Sequence, residues 1–203
     1  MSGNRFAVAV VFLLIASAGF AQSNDVAVSF GGTFSPGVKG QAVCEALPTC
    51  PTGIVDRSID PGFSIEGTYA HRLANFRVAS LHLELPVLFA PSRSTGSIVG
   101  SSDFSSFFIA PSLKLKLLPS SGISPFVSAG GGLARFKEDS FSSNKGAFQF
   151  GGGLDFKTRL PLLGFRVEAR DFMTGRPGIP AFSSITSDHL HNLFVGGGIT
   201  LHF

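Results

Sequence analysis

From residue 24 onward, apolar residues return at every second position, and this alternation limits what the chain can fold into more than any other feature. The clearest case closes the chain. Leu193, Val195, Gly197, Ile199, Leu201 and Phe203 share one parity, with Asn192, Thr200 and His202 on the other. A helix gathers its apolar residues at 3.6-residue spacing, so strict alternation selects an extended strand with two unlike faces. Similar segments lie near 26–34, 62–72, 76–89, 107–117, 123–136, 148–156 and 165–170. Phe76 and Val78 are out of phase with Leu81 to Phe89, which predicts a bulge near Ala79 or Ser80. The glycine-rich segment 123–136 leaves its facing open. Eight strands are expected.

The connections alternate strictly. Short turns at 73–75, 119–122 and 161–164 carry Asn, Pro and Gly, while long polar connections fall at 35–61, 90–106, 137–146 and 173–188. Strands two, three, four, six and seven carry their central ionisable residues on one parity only. These are Glu66, Glu84, Lys114, Lys116, Asp155, Lys157, Arg159, Arg166, Glu168 and Arg170, and His82 lies on the same side. The opposite parity is rich in Phe, Leu and Val. A soluble barrel or sandwich turns its apolar face inward. A transmembrane β-barrel inverts that arrangement, placing apolar side chains toward lipid and polar ones in the lumen, with short periplasmic turns and long extracellular loops. The reading is therefore all-β, an eight-stranded antiparallel transmembrane β-barrel.

Export fits that reading. Arg5 followed by the apolar run Phe6 to Ile15 and the small-x-small triplet Gly19-Phe20-Ala21 predicts a signal peptide over 1–21, cleaved after Ala21, ahead of a barrel domain over 22–203. Cys44 and Cys50 are the only cysteines, an even pair in a chain bound for an oxidising compartment, and a local disulfide in the first long loop is expected. Two free thiols are the alternative. The spacing, without a nearby His, fits no common zinc pattern, so neither a metal nor another cofactor is expected. Removing Arg5 leaves 15 basic against 13 acidic side chains, and a net charge of +2 argues against a nucleic-acid-binding surface.

The final strand, from Leu193 to Phe203 with its terminal Phe, resembles the signal that outer-membrane insertion machinery recognises, carried here by Val195, Ile199, Leu201 and Phe203. By pattern the mature chain resembles the small eight-stranded outer-membrane proteins of Gram-negative-type bacteria, the group that includes the barrel of outer membrane protein A and the outer membrane protein X and opacity families. The resemblance implies a monomeric barrel in the bacterial outer membrane, in contact with lipid and lipopolysaccharide. It also implies surface roles that include adhesion, anchoring and resistance to host defence. Aromatic girdles in such barrels contain Tyr and Trp, whereas this chain offers one Tyr, no Trp and 22 Phe. Pro86, Pro111 and Pro125 fall inside strand segments, where each removes a ladder donor.

A symmetric turn at 161–164 sets Lys157 opposite Glu168, Asp155 opposite Arg170 and Arg159 opposite Arg166; a turn centred on Ala74 sets Glu66 opposite His82. Two functional readings follow from the lumen. In one, ion pairs fill a narrow barrel and the long loops carry the function through surface ligands or envelope integrity. In the other, the lumen is a small pore whose six basic against four acidic groups favour anions. A third class, a lipid-modifying enzyme, has only Asp188 and His189 at the start of strand eight to support it. No nucleophile motif of recognisable spacing accompanies them, so no catalytic residue is assigned. The glycine triplets at 130–132, 151–153 and 196–198 lie inside strands rather than before a helix, which argues against phosphate-loop chemistry. Arg93, Arg135, Lys137 and Arg176 are candidate rim contacts to lipopolysaccharide phosphates.

Overall fold

A computed structural model describes residues 23–36, 39–41, 54–56, 58–97, 100–160, 162–182 and 187–203. The predicted leader, its cleavage site after Ala21, and Cys44 and Cys50 lie outside the described residues.

The strands in chain order are β1 (Asn24–Ser35), β2 (Lys39–Gln41), β3 (Ile54–Asp56), β4 (Ser58–Asn75), β5 (Ala79–Ser97), β6 (Gly100–Ile109), β7 (Ser112–Leu117), β8 (Ile123–Glu138), β9 (Phe141–Lys157), β10 (Leu163–Gly175) and β11 (His189–His202), with a 3-10 turn, η1 (Pro180–Phe182), between the last two. β2 and β3 pair with each other in a separate two-stranded sheet within the connection between β1 and β4. β6 and β7 both lie between β5 and β8, so they are two halves of one stave. The remaining elements form an eight-stranded antiparallel barrel, closed where β1 pairs with β11 from Asp25↔His202 to Phe34↔Leu193. Closure leaves no open edge, and the last residue completes it: Phe203 N–H donates to the Asn24 carbonyl (2.9 Å) and Asn24 N–H to that of Phe203 (2.8 Å).

Pro111 splits the fourth stave. Its carbonyl accepts from Gly131 N–H (3.2 Å), while the Pro86 carbonyl of the neighbouring strand accepts from Ala110 N–H (3.3 Å). Both missing proline donors therefore converge on Ala110–Pro111, and the ladder breaks once at that point. Pro125 is tolerated within β8, opposite Leu154.

The two ends differ. One holds the start of β1, the end of β11 and the short turns. At the other, strands continue past the apolar band, so that Ser97 pairs with Gly100 and Glu138 with Phe141 across a two-residue turn in which Asp139 takes φ 46°. Much of connections 90–106 and 137–146 is thus paired strand. Alternation could not signal these extensions, because their residues are mostly polar on both faces and inward Phe104 stands among serines.

The outer surface of the staves carries Phe30, Phe63, Tyr69, Leu83, Leu113, Val127, Phe150, Phe165, Val195 and Ile199, all exposed. The glycine-rich strand takes a definite facing, with Val127 and Leu133 outward and Ser124, Phe126, Ser128, Ala134 and Phe136 inward. Leaving a large apolar side chain in water forfeits about 1.5–3 kcal/mol relative to burial. A continuous belt of them is a surface made for hydrocarbon.

Adjacent staves approach closely at glycine. A Cβ on Gly198 would overlap the Val28 carbonyl, and one on Gly132 the Ile109 carbonyl. The glycine triplets therefore let strands close around a narrow bore.

Candidate functional site

The interior has two layers. Nearer the terminal end, inward positions on β4, β5, β7, β9 and β10 converge in an ionic cluster whose side chains are almost wholly buried. Arg170 is its centre. Its guanidinium meets Glu66 (2.9 Å), both oxygens of Glu84 (2.9 and 3.0 Å) and Glu168 (2.9 Å), and also donates to the Ser128 hydroxyl (3.0 Å). The carboxylates gain further donors, Ser29 to Glu168 (2.6 Å) and Thr68 to Glu66 (3.0 Å). One level toward the terminal end, Arg166 grips Asp155 through Nε (2.7 Å) and a terminal nitrogen (3.2 Å). Lys114 lies 3.5 Å from both Glu84 and Asp155, over the Phe126 ring at 3.9 Å. Lys116 joins Asp155 (2.9 Å) to Asp25 (3.7 Å), and Asp25 meets His202 (2.7 Å) at the mouth. Charges removed from water this completely need such multiple partners, because each ion alone costs several kcal/mol to desolvate.

The structure corrects the predicted pairing. β9 and β10 pair with Asp155 opposite Arg166 and Lys157 opposite Gly164, so neither the Lys157–Glu168 nor the Asp155–Arg170 cross-strand pair forms, and Arg159 does not face Arg166. The turn is centred two residues earlier than 161–164. The Thr158 hydroxyl donates to the Leu163 carbonyl (2.6 Å) and Leu163 N–H to the Leu160 carbonyl (3.1 Å), fixing it there. Lys157 and Arg159 are exposed at the terminal end, outside the cluster. Likewise Glu66 faces Leu88 and His82 faces Arg72, because the β4–β5 turn spans Phe76 to Val78 rather than Ala74. The irregularity expected near Ala79 sits across the ladder, between Arg72 and Ala74, and the out-of-phase Phe76 and Val78 belong to the turn.

These shifts change the charge balance. Lys114, Lys116, Arg166 and Arg170 stand against Asp25, Glu66, Glu84, Asp155 and Glu168, so the buried network has four cations and five carboxylates. The basic excess expected of an anion pore is absent from it. Asp25 was missed as a member, although it shares the polar parity of Ala27, Ser29 and Thr33.

Toward the other end the lumen is apolar. Leu88, Phe104, Phe108, Phe136, Phe172, Leu190 and Phe194 point inward, and Ile179 and Phe182 of the connection between β10 and β11 fold down onto them. Phe182 packs edge-on against Phe104 (4.9 Å) and Phe136 (5.8 Å), and Phe108 against Phe136 (5.7 Å). Arg93 is buried here, donating to Asn192 (2.9 Å) and Ser35 (2.6 Å) beside the Phe104 ring, so it is not a rim contact. Sequence reasoning missed this plug. Its signal was present in doublets such as Leu88-Phe89 and Phe107-Phe108, which put large apolar groups on both faces of one strand.

Arg135, Lys137 and Arg176 are exposed at the plugged end, as are Asp188 and His189. Val195, Ile199 and Leu201 lie on the outer face, and Phe203 is half-buried at the closing seam. Among the described residues no group of three His, Cys, Asp or Glu side chains is placed to hold a metal, and no helix is long and apolar enough to cross a membrane.

No protein-family model matches the sequence, and no curated protein does. The architecture does have solved counterparts. The outer membrane protein OprG of Pseudomonas aeruginosa superposes with a TM-score of 0.53 at 12% identity, covering 90% of this chain and 97% of its own. Neisserial surface protein A gives 0.52 at 12% identity, covering 89% and 97%. The fold is that of the small eight-stranded outer-membrane β-barrels.

Proposed function

We propose that this chain is a non-conducting, non-enzymatic outer-membrane protein that acts through its outward hairpins, in adhesion or envelope integrity. The observation that supports this is the filled interior: an ion-paired layer and a phenylalanine plug occupy the bore in series. Eight strands enclose little more than the volume of their own inward side chains. The hairpins are the remaining variable surface, carried rigidly by a closed barrel. In this reading the plugged end faces outward and the short turns face the periplasm. The leader is removed after Ala21, the terminal strand with Val195, Ile199, Leu201 and Phe203 is read by the insertion machinery, and the product is a monomer. Cys44 and Cys50 close a knob in the first loop.

Lipopolysaccharide is the proposed first partner. Arg135 and Lys137 lie exposed on the outward parity of the β8–β9 hairpin just beyond the apolar belt, where anionic headgroups would sit. The test reconstitutes the folded chain and a double variant, Arg135→Gln and Lys137→Gln, in vesicles with and without lipopolysaccharide. Retention of lipopolysaccharide should weaken about tenfold in the variant and fall with salt, with no solute flux through either protein. Flux that survives hairpin changes, or unaltered retention, overturns the reading.

A further inference from the structure

The short-turn end of the barrel holds a cavity of about 270 Å³, walled by Arg72, His82, Lys116, Lys157 and His202 with Asp25 as its one carboxylate. Asp25 is already engaged by His202 (2.7 Å) and Lys116 (3.7 Å), so its charge is spent on the wall itself. Lys157 donates to the Pro119 carbonyl and keeps further N–H donors at the rim. Among the described residues no carboxylate lies within salt-bridge distance of the Arg72 guanidinium. Directly across the ladder from Arg72 is His82, whose side of the barrel is the cavity wall.

His82 supplies the second observation. The residue is 5% exposed, its Nε2 lies 2.9 Å from the Ser80 hydroxyl, and its Nδ1 is buried with no hydrogen-bond partner. Whichever of Ser80 and His82 donates in that contact, Nδ1 is the ring nitrogen left without a partner. A buried polar atom without a partner costs about 1–3 kcal/mol and calls for an occupant. Lys116 is held by Asp155 (2.9 Å) and Asp25, which leaves Arg72 and Lys157 as the cavity's cations with no carboxylate among the described residues; they specify the sign of that occupant, and the volume suits a small tetrahedral group.

We infer that this cavity is an oxyanion site, and that its ligand is a phosphate group held by Arg72, Lys157 and His82 Nδ1. Arg72 makes the forked contact, for which guanidinium geometry is suited. The same chemistry is available from a soluble phosphate or phosphomonoester and from the headgroup of a neighbouring phospholipid.

The test uses the refolded full barrel in a nonionic detergent, with inorganic phosphate titrated calorimetrically and by phosphorus NMR at constant ionic strength. Saturable one-site binding is expected, weakened about tenfold by Arg72→Gln and by Lys157→Gln, with heat-modifiable gel migration confirming that each variant is folded. Arg72 and Lys157 lie outside the buried ion-paired cluster, so these variants spare the core of the barrel. Displacement of phosphate by glycerol 3-phosphate identifies a soluble ligand, and displacement by a short-chain phosphatidylglycerol identifies a headgroup; either supports the site. Absence of saturable binding in the unaltered protein, or unchanged affinity in both folded variants, overturns it.

Discussion

Arg170→Met removes the centre of the buried cluster while keeping much of the side chain's volume. Arg170 is 0% exposed and bonded to Glu66, Glu84 and Glu168, so its loss leaves three carboxylates sharing fewer cations. The network then holds Lys114, Lys116 and Arg166 against five carboxylates, and its excess of negative charge rises from one to two. Removing one partner of a buried pair costs about 3–5 kcal/mol, against about 0–1 kcal/mol for an exposed pair. The first range is predicted. With no Trp and one Tyr, intrinsic fluorescence reports little. Urea titrations followed by heat-modifiable migration and far-ultraviolet circular dichroism supply the free energy. Arg170→Lys keeps the charge and loses the fork, so an intermediate loss is expected; adding Glu84→Gln to Arg170→Met should recover part of the deficit. A loss below about 1 kcal/mol for Arg170→Met would mean that the guanidinium is hydrated and the lumen open, and the reasoning would fail.

Further outcomes follow from other features. A double-mutant cycle of Asp155→Asn with Arg166→Gln should give a coupling of about 0.5–3 kcal/mol, whereas Lys157→Glu with Glu168→Lys should show none, since that pair is out of register. Gly198→Val drives a side chain into the Val28 carbonyl and should abolish refolding, while Gly67→Ala, whose Cβ meets nothing within 4 Å, should refold normally; folded yield on a gel checks both. Phe182→Ala empties the plug of a ring 1% exposed and should cost about 3–5 kcal/mol in urea unfolding, yet leave the bore closed by the ionic layer beneath.

Facing was legible in the sequence and partnership was not. Alternation assigns each side chain to one side of the barrel wall, and Glu84, Lys114, Asp155, Arg166 and Arg170 all lie inward. Register depends on where a turn closes, and the Thr158 hydroxyl moves one turn by two residues along a strand. Moving the turn centre by two residues shifts every partner by four, an even number that preserves parity, so every side chain keeps its face while exchanging its neighbour. That is why Asp155 meets Arg166 instead of Arg170 across the ladder. The plug was hidden for a different reason: inward Phe108 and outward Phe107 have the same hydropathy, and only the closed barrel distinguishes a ring packed on Phe136 from one facing lipid. The terminal cavity draws Asp25, Arg72, His82 and His202 from four strands, a convergence that no local spacing reveals.

Planar-bilayer recording on the folded chain tests the sealed interior most directly. The ion-paired layer and the phenylalanine plug predict a membrane that stays electrically silent, with Phe182→Ala silent as well because Arg170 and its carboxylates still fill the bore. Stable unitary steps from the unaltered protein, shifted in ion selectivity by Lys114→Gln, would contradict the account.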